Sequence, residues 1–192
     1  NMRYADAESF KGLIMWAGQL SGPKAVPGVY RVRMVAGADS MEQTFNILKD
    51  PRTDASISDM QKQFDLLISV RDKLTETHQA IKDIRDLKEQ MGSYTDRLKE
   101  DENMKDVLEE AEGIEERISM IEKNLYQVKN RSRQDPLNYP IKLNNKLAHL
   151  SRLVGVGAGA PTQQAQEFYQ EVTEKIDEQL SSWYEFVEND VP

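Results

Sequence analysis

Eight apolar residues, Met104, Val107, Ala111, Ile114, Ile118, Ile121, Leu125 and Val128, follow one another three and four apart without a fault. Such spacing puts all eight on one stripe of an α-helix and nowhere coherent on a strand. Glu and Lys fill the positions between them, so the helix is amphipathic and must lay its stripe against another helix. Residues 56–98 offer that partner. Met60, Phe64, Leu67 and Leu74 trace a similar seam, with Arg71 and His78 at seam positions. Beyond Ile81 the register shifts to Ile84, Leu87, Met91, Tyr94 and Leu98, a stammer that locally overwinds a helix pair. Gly92-Ser93 marks the weak point of this helix, where a kink is expected. Ser56 or Ser58 can cap its start. Asp101-Glu102-Asn103 supplies the reversal, giving one long antiparallel helical hairpin.

Composition divides the chain near Asp50-Pro51. Residues 1–50 hold six basic and five acidic residues and half the glycines; the remainder holds nineteen basic and twenty-eight acidic ones. The first part reads as strands. Tyr30, Val32 and Met34 alternate with Arg31 and Arg33, Gly37 to Ser40 turns the chain, and Met41, Gln43, Phe45 and Ile47 share a returning face. Leu13 to Trp16 and Arg3-Tyr4 read as further short strands. Three or four strands do not close a sandwich, so strands are expected upstream, or helices over the apolar face.

Between the helical hairpin and the C-terminus lies Gln134 to Leu150, QDPLNYPIKLNNKLAHL. Pro140 suits the first turn of a helix and disfavours helix at Tyr139. A corner is expected there, with Asp135, Pro136, Asn138, Tyr139, Pro140, Asn144 and Asn145 as a structural hub satisfying backbone groups at the turn. A polar binding site is the sharper alternative for the same residues. Leu143, Leu147, Leu150 and Val154 face one way on the helix that follows. Gly155 to Ala160 is a loop, and Thr162 opens a last helix with Phe168, Val172, Ile176, Leu180, Trp183 and Val187 as its buried stripe. The expected fold is α+β. A small, incomplete antiparallel β-layer, an Ig-like fragment over 1–50, precedes an antiparallel bundle of about four helices over 51–192. Those helices span about 56–98, 103–132, 140–154 and 162–188.

Several chemistries are excluded or unsupported. The chain has no cysteine, so no disulfide, zinc-thiolate site or Cys nucleophile is possible. Its net charge of −8 argues against nucleic acid. No run approaches the roughly 20 apolar residues a membrane helix needs. The two histidines, His78 and His149, have no partner at metal-site spacing, and no cofactor is implied. The Gly155 to Gly159 run lacks the Gly-Lys-Ser/Thr of a phosphate loop. Most of the 33 carboxylates sit at outer helix positions, such as Glu109, Glu110, Glu115 and Glu116, and read as a solvated face. Trp16 and Tyr30 are the candidates for an aromatic, sugar-stacking surface, with core packing as the plain alternative.

Taken together, Asp50-Pro51-Arg52, Gln63-Phe64-Asp65, the 134–150 stretch, Pro161-Thr162 and the N-terminal segments 2–18 and 22–34 resemble one family. It is the C-terminal region of bacterial glycosyl hydrolase-like proteins with BNR (sialidase-type) repeats, or sortilin-like β-propeller proteins. Asp135 to Leu147 is the most specific part of the likeness. The resemblance implies an exported host with a β-propeller upstream, and it places any active site on that propeller. No Asp-box repeat and no sialidase arginine triad occurs here. The expected role is therefore a non-catalytic accessory or interaction module, with a protein partner on the helical hairpin. A carbohydrate-binding or hydrolase-associated domain and a self-associating coiled coil are the alternatives.

Overall fold

The structure is a computed structural model and describes residues 2–190. Its elements are strands β1 (Gly28–Ala36) and β2 (Asp39–Ile47) and helices α1 (Ile57–Leu98), α2 (Lys105–Leu125), α3 (Leu143–Val154) and α4 (Gln163–Asp190). Short 3₁₀ turns occupy Glu102–Met104 and Asp135–Leu137. The α+β class holds: a small antiparallel sheet is followed by a bundle of four helices.

Local chemistry explains most boundaries. Ser56 caps α1 in a capping box, its Oγ accepting from the Asp59 N–H at 3.0 Å while the Asp59 carboxylate accepts from the Ser56 N–H. From there α1 runs 42 residues through Gly92 without a break, about 63 Å of helix. Asp101 accepts from the Asn103 N–H and turns the chain into α2. Thr162 Oγ1 accepts from the Ala165 N–H at the start of α4.

The bundle is organised around α1. Gln63 of α1 reaches the Val154 carbonyl at the end of α3, whereas His78, further along α1, meets Asn144 near the start of α3. Arg85, further still, pairs with Glu122 near the end of α2. Thus α2 and α3 follow one another down the same side of α1, both antiparallel to it, with residues 126–142 as an excursion between them. α4 runs parallel to α1: Lys73 pairs with Asp177, and Glu76 accepts from Tyr184. Leu74, Ile81, Ile84, Ile118, Leu125, Leu147, Ile176 and Leu180 form the sealed centre. Each such side chain contributes about 1.5–3 kcal/mol over an exposed position.

Several expectations are corrected. α2 ends at Leu125 rather than near residue 132, because Tyr126 turns to an extended backbone and carries its ring into the core. α3 begins at Leu143 rather than at Pro140; the Pro140 carbonyl is taken by the Gln127 side chain at 2.8 Å, and Lys142 is extended. Leu13 to Trp16 is not a strand, and Arg3 makes only an isolated bridge to Lys24. Within the part expected to be a β-layer, residues 4–26 instead form a strap that adds Ala7 and Phe10 to the helical core. Tyr94 and Val107 are exposed, since only α1 and α2 remain at that end of the bundle. On α4 the stripe is closed by Phe186 rather than Val187, and Phe168 stays 38 % exposed.

The β1–β2 hairpin matches its expected register, with Tyr30 opposite Phe45, Val32 opposite Gln43 and Met34 opposite Met41. Gly37 begins its two-residue loop at φ +62°, as a II′-type turn requires. No helix covers it: both strands are exposed along most of their length.

Candidate functional site

The strap is closed on itself before it meets the helices. Tyr4 N–H donates to the Pro23 carbonyl, Ala7 N–H to Leu20 and Ala25 N–H to Met2, at 2.8–3.0 Å. Gly22 lies so close to the carbonyl oxygens of Tyr4 and Ala5 that any β-carbon would overlap them. The loop so closed lays Glu8 and Phe10 across α1.

Three segments converge on His78. Its Nδ1 lies 2.6 Å from the Glu8 carbonyl, which can only accept, so Nδ1 carries the proton. Nε2 is then an acceptor, and the Asn144 Nδ2 donates to it at 3.1 Å. Burial pushes the His78 pKa down, opposed by its bond to the Glu8 carbonyl and by the Glu8 charge. The imidazole is neutral, and its tautomer is set by the strap. One residue on, Asn145 imitates a backbone peptide: Oδ1 accepts from the Trp16 N–H at 2.7 Å and Nδ2 donates to the Trp16 carbonyl at 2.8 Å. Gln19 N–H adds a bond to the Ala148 carbonyl.

The other end of the strap is held by charge and rings. Lys82 binds the Glu8 carboxylate at 2.8 Å and holds its pKa below the usual value. The Arg85 guanidinium lies 4.7 Å from the Phe10 ring centre and 5.2 Å from that of Tyr126. Its Nε donates to Glu122 at 2.6 Å, and Lys88 reaches the same carboxylate at 3.2 Å. Tyr126 finishes α2 by donating to the Gly12 carbonyl and accepting from the Ile14 N–H.

The expected hub is split by this geometry. Asn144 and Asn145 are buried and tie α3 to α1 and the strap. Asp135 acts locally: its carboxylate accepts from the backbone N–H groups of Arg131 and Ser132, which hold its pKa low. Asn138 and Pro140 are exposed and Pro136 is half-buried. Tyr139 lies at the surface, with the Lys129 ammonium 5.6 Å from its ring centre. Trp16 is 45 % exposed and is fixed to α3 through its backbone. Tyr30 stacks on Phe45 within the hairpin, and its hydroxyl donates to the Val26 carbonyl. Each aromatic therefore has its own neighbours, on separate elements.

Glu8, Phe10, Arg85, Glu122 and Tyr126 escape a reading by periodicity. Glu122 and Arg85 each follow an apolar seam residue, Ile121 and Ile84, so a seam-flanking charge was the only local signal. Nothing local announces a strap whose contacts lie more than 60 residues away.

Chemically the junction is a clamp. Glycoside hydrolysis by a carboxylate pair needs one carboxyl with a raised pKa facing a second. Here Glu8, Asp50, Asp59, Asp135 and Glu171 all shift down, each through a hydrogen-bonded partner. Among the described residues no three of His, Asp or Glu are placed to hold a metal ion, and no helix is long and apolar enough to cross a membrane. The open surfaces lie elsewhere. On one hairpin face Val32, Met34 and Met41 are 53–70 % exposed, while Arg31, Arg33 and Glu42 pair on the opposite face. No family model, curated protein or solved structure matches this chain.

Proposed function

We propose that this chain is a non-catalytic interaction module, the C-terminal accessory part of an exported β-propeller protein of the BNR/sortilin-like kind. The observation that carries the reading is the uncovered apolar face of the β1–β2 hairpin. A two-stranded hairpin is marginal in water, and a face bearing Val32, Met34 and Met41 calls for a partner sheet. A propeller offers sheet faces and strand edges that would take it by packing or strand addition. The resemblance around Asp135 to Leu147 names the same neighbour. The clamp at His78, Asn144 and Asn145 has a supporting role: it holds the segment leading into the hairpin on a rigid bundle.

The test is binding between this chain and the host's propeller, expressed separately and followed by calorimetry. Saturable binding is expected, lowered about tenfold or more by Met34→Glu or Met41→Glu. Both residues are exposed, so the fold should tolerate the change. Absence of binding, or of propeller repeats in the host, overturns the reading. So does glycoside hydrolysis by the purified chain that is lost on replacing one carboxylate.

A further inference from the structure

A second surface, distinct from the apolar hairpin face and independent of the propeller reading, lies at the C-terminal end of α3, away from the Asn144–Asn145 clamp. The last turns of α3, the Gly155 to Ala160 loop and the first turns of α4 enclose a groove of about 550 Å³. That volume falls within the range of about 300–1,000 Å³ typical of ligand clefts. Leu150 and Val154 line it from the core side, and small residues, Ala160 and Ala165, keep it open. Leu153, Val156 and Phe168 stand around it, 60 %, 77 % and 38 % exposed. Phe168 is the residue that the periodicity of α4 sends to the core and the structure leaves at the groove.

Charge distinguishes this groove from the rest of the molecule. The chain carries 33 acidic against 25 basic residues, yet among the described residues no acidic one lines the groove, while Lys146 and His149 do. Lys146 and His149 stand three apart on one face of α3, Arg152 follows three residues on, and Lys142 flanks the start of the helix. α3 contains no Asp or Glu at all. Glu171 of α4 feels the Lys146 charge but lies outside the lining and is paired with Lys175. The groove is also held in shape: Gln63 of α1 donates to the Val154 carbonyl at 2.7 Å, fixing the end of α3 where the loop departs.

We propose that this groove docks an amphipathic helix of a partner protein, with apolar anchors set into the groove and acidic residues along the α3 stripe. Two of its walls are the helices α3 and α4, no strand among the described residues lines it, and helical anchors at i, i+4 and i+7 fit a groove between two helices. Leu153 and Val156 belong to the groove lining and keep most of their surface in water, 60 % and 77 % exposed. A helix lying across the mouth covers them. The basic rim selects the sign of the flanking charges.

The probe is a fluorescein-labelled model helix of about 18 residues, some 27 Å long, with leucines at i, i+4, i+7 and i+11, flanking glutamates and alanines elsewhere. Its control has lysine for every glutamate. Anisotropy titration of the intact chain should show the acidic helix binding about tenfold or more tightly than the basic one. Lys146→Glu combined with His149→Glu should reverse that order. Leu153→Asp and, separately, Val156→Asp should each cost about tenfold in affinity, with thermal melts unchanged because both side chains are exposed. Equal binding of the two helices, no binding of either, or an affinity indifferent to both aspartates overturns the proposal. Dodecanoate binding in the groove without helix binding overturns it in favour of a small amphiphile.

Discussion

His78 of α1 and Asn144 of α3 meet at 3.1 Å in a site closed to solvent, and the other imidazole nitrogen is held by the carbonyl of Glu8. Two nitrogens of one ring thus tie three segments that lie 70 and 66 residues apart in sequence. Among the described residues Nε2 is bonded by the Asn144 amide alone, and the Oδ1 of Asn144 is buried without a partner. The contact is therefore sensitive to loss from either side.

Asn144→Ala removes the donor and leaves Nε2 of His78 sealed without a partner. An orphaned buried acceptor costs about 1–3 kcal/mol, and the small cavity adds to it. We expect a loss of about 2–4 kcal/mol in urea unfolding. His78→Phe should be costly alone, and the double variant should lose less than the sum of the two. Strict additivity would mean that the two side chains do not interact.

The same ring sets a pH dependence. Burial lowers the His78 pKa, so the folded state binds its proton less readily than the unfolded chain, whose value is near 6.5. Stability is therefore complete above that value. It falls as the pH drops through 6.5 and continues to fall until the folded pKa is reached. The Glu8 carboxylate faces the ring and opposes the shift, while Lys82 pairs with that carboxylate. The downshifted carboxylates Glu8, Asp59, Asp135 and Glu171 act in a separate window, losing their contribution only below the ordinary carboxylate range. Unfolding free energies measured from about pH 8 to about pH 5 should decline for the native chain and stay flatter for His78→Phe. Parallel curves would show that His78 is not the group responsible.

Where local chemistry decides, the chain is legible. The Ser56–Asp59 box starts α1 and Thr162 starts α4, each within three residues of sequence, and the Tyr30–Phe45 register follows from alternation about the turn at Gly37. Asn144 and Asn145 stand out in a polar stretch, yet their partners do not. The end of α2 shows why. The apolar spacing continues to Val128, but the helix stops at Leu125, because Tyr126 gains two hydrogen bonds to a strap 112 and 114 residues away. Periodicity reports which face is apolar, and it is blind to a distant backbone that competes for the same side chain. The exposure of the hairpin face and the α3–α4 groove were hidden for a related reason. An apolar stripe reads as core, and only the fold reveals that Met34, Met41 and Phe168 are left uncovered.

Gly22→Ala tests the strap. The added methyl would overlap the carbonyl oxygens of Tyr4 and Ala5, both of them backbone atoms that cannot swing aside. The strap must open at its neck, straining the Tyr4–Pro23 and Ala7–Leu20 hydrogen bonds and the seat of Phe10. A loss of about 2 kcal/mol or more is expected in unfolding experiments. Amide exchange should speed up first at Tyr4, Ala7 and Glu8, while the Ile118 to Leu125 turns of α2 stay protected. Native stability with native exchange at those amides would show that the neck is not as tight as its geometry.

Gly92 and Gly113 lie within α1 and α2, and a β-carbon at either position would meet nothing within 4 Å. Neither conformation demands glycine, since neither residue has a positive φ. Alanine at each site should then stabilise by about 0.5–1 kcal/mol, chiefly by narrowing the unfolded ensemble. Both sites lie toward the end of the bundle where only α1 and α2 remain and where Tyr94 and Val107 are exposed. If that end unfolds with the rest, the double variant should raise the global unfolding free energy by about 1–2 kcal/mol. If it frays on its own, the global value should stay put and only amide exchange between Met91 and Met104 should slow. Thermal unfolding and exchange on the same variant separate the two. A drop in stability would assign these glycines a role that the open space around them does not show.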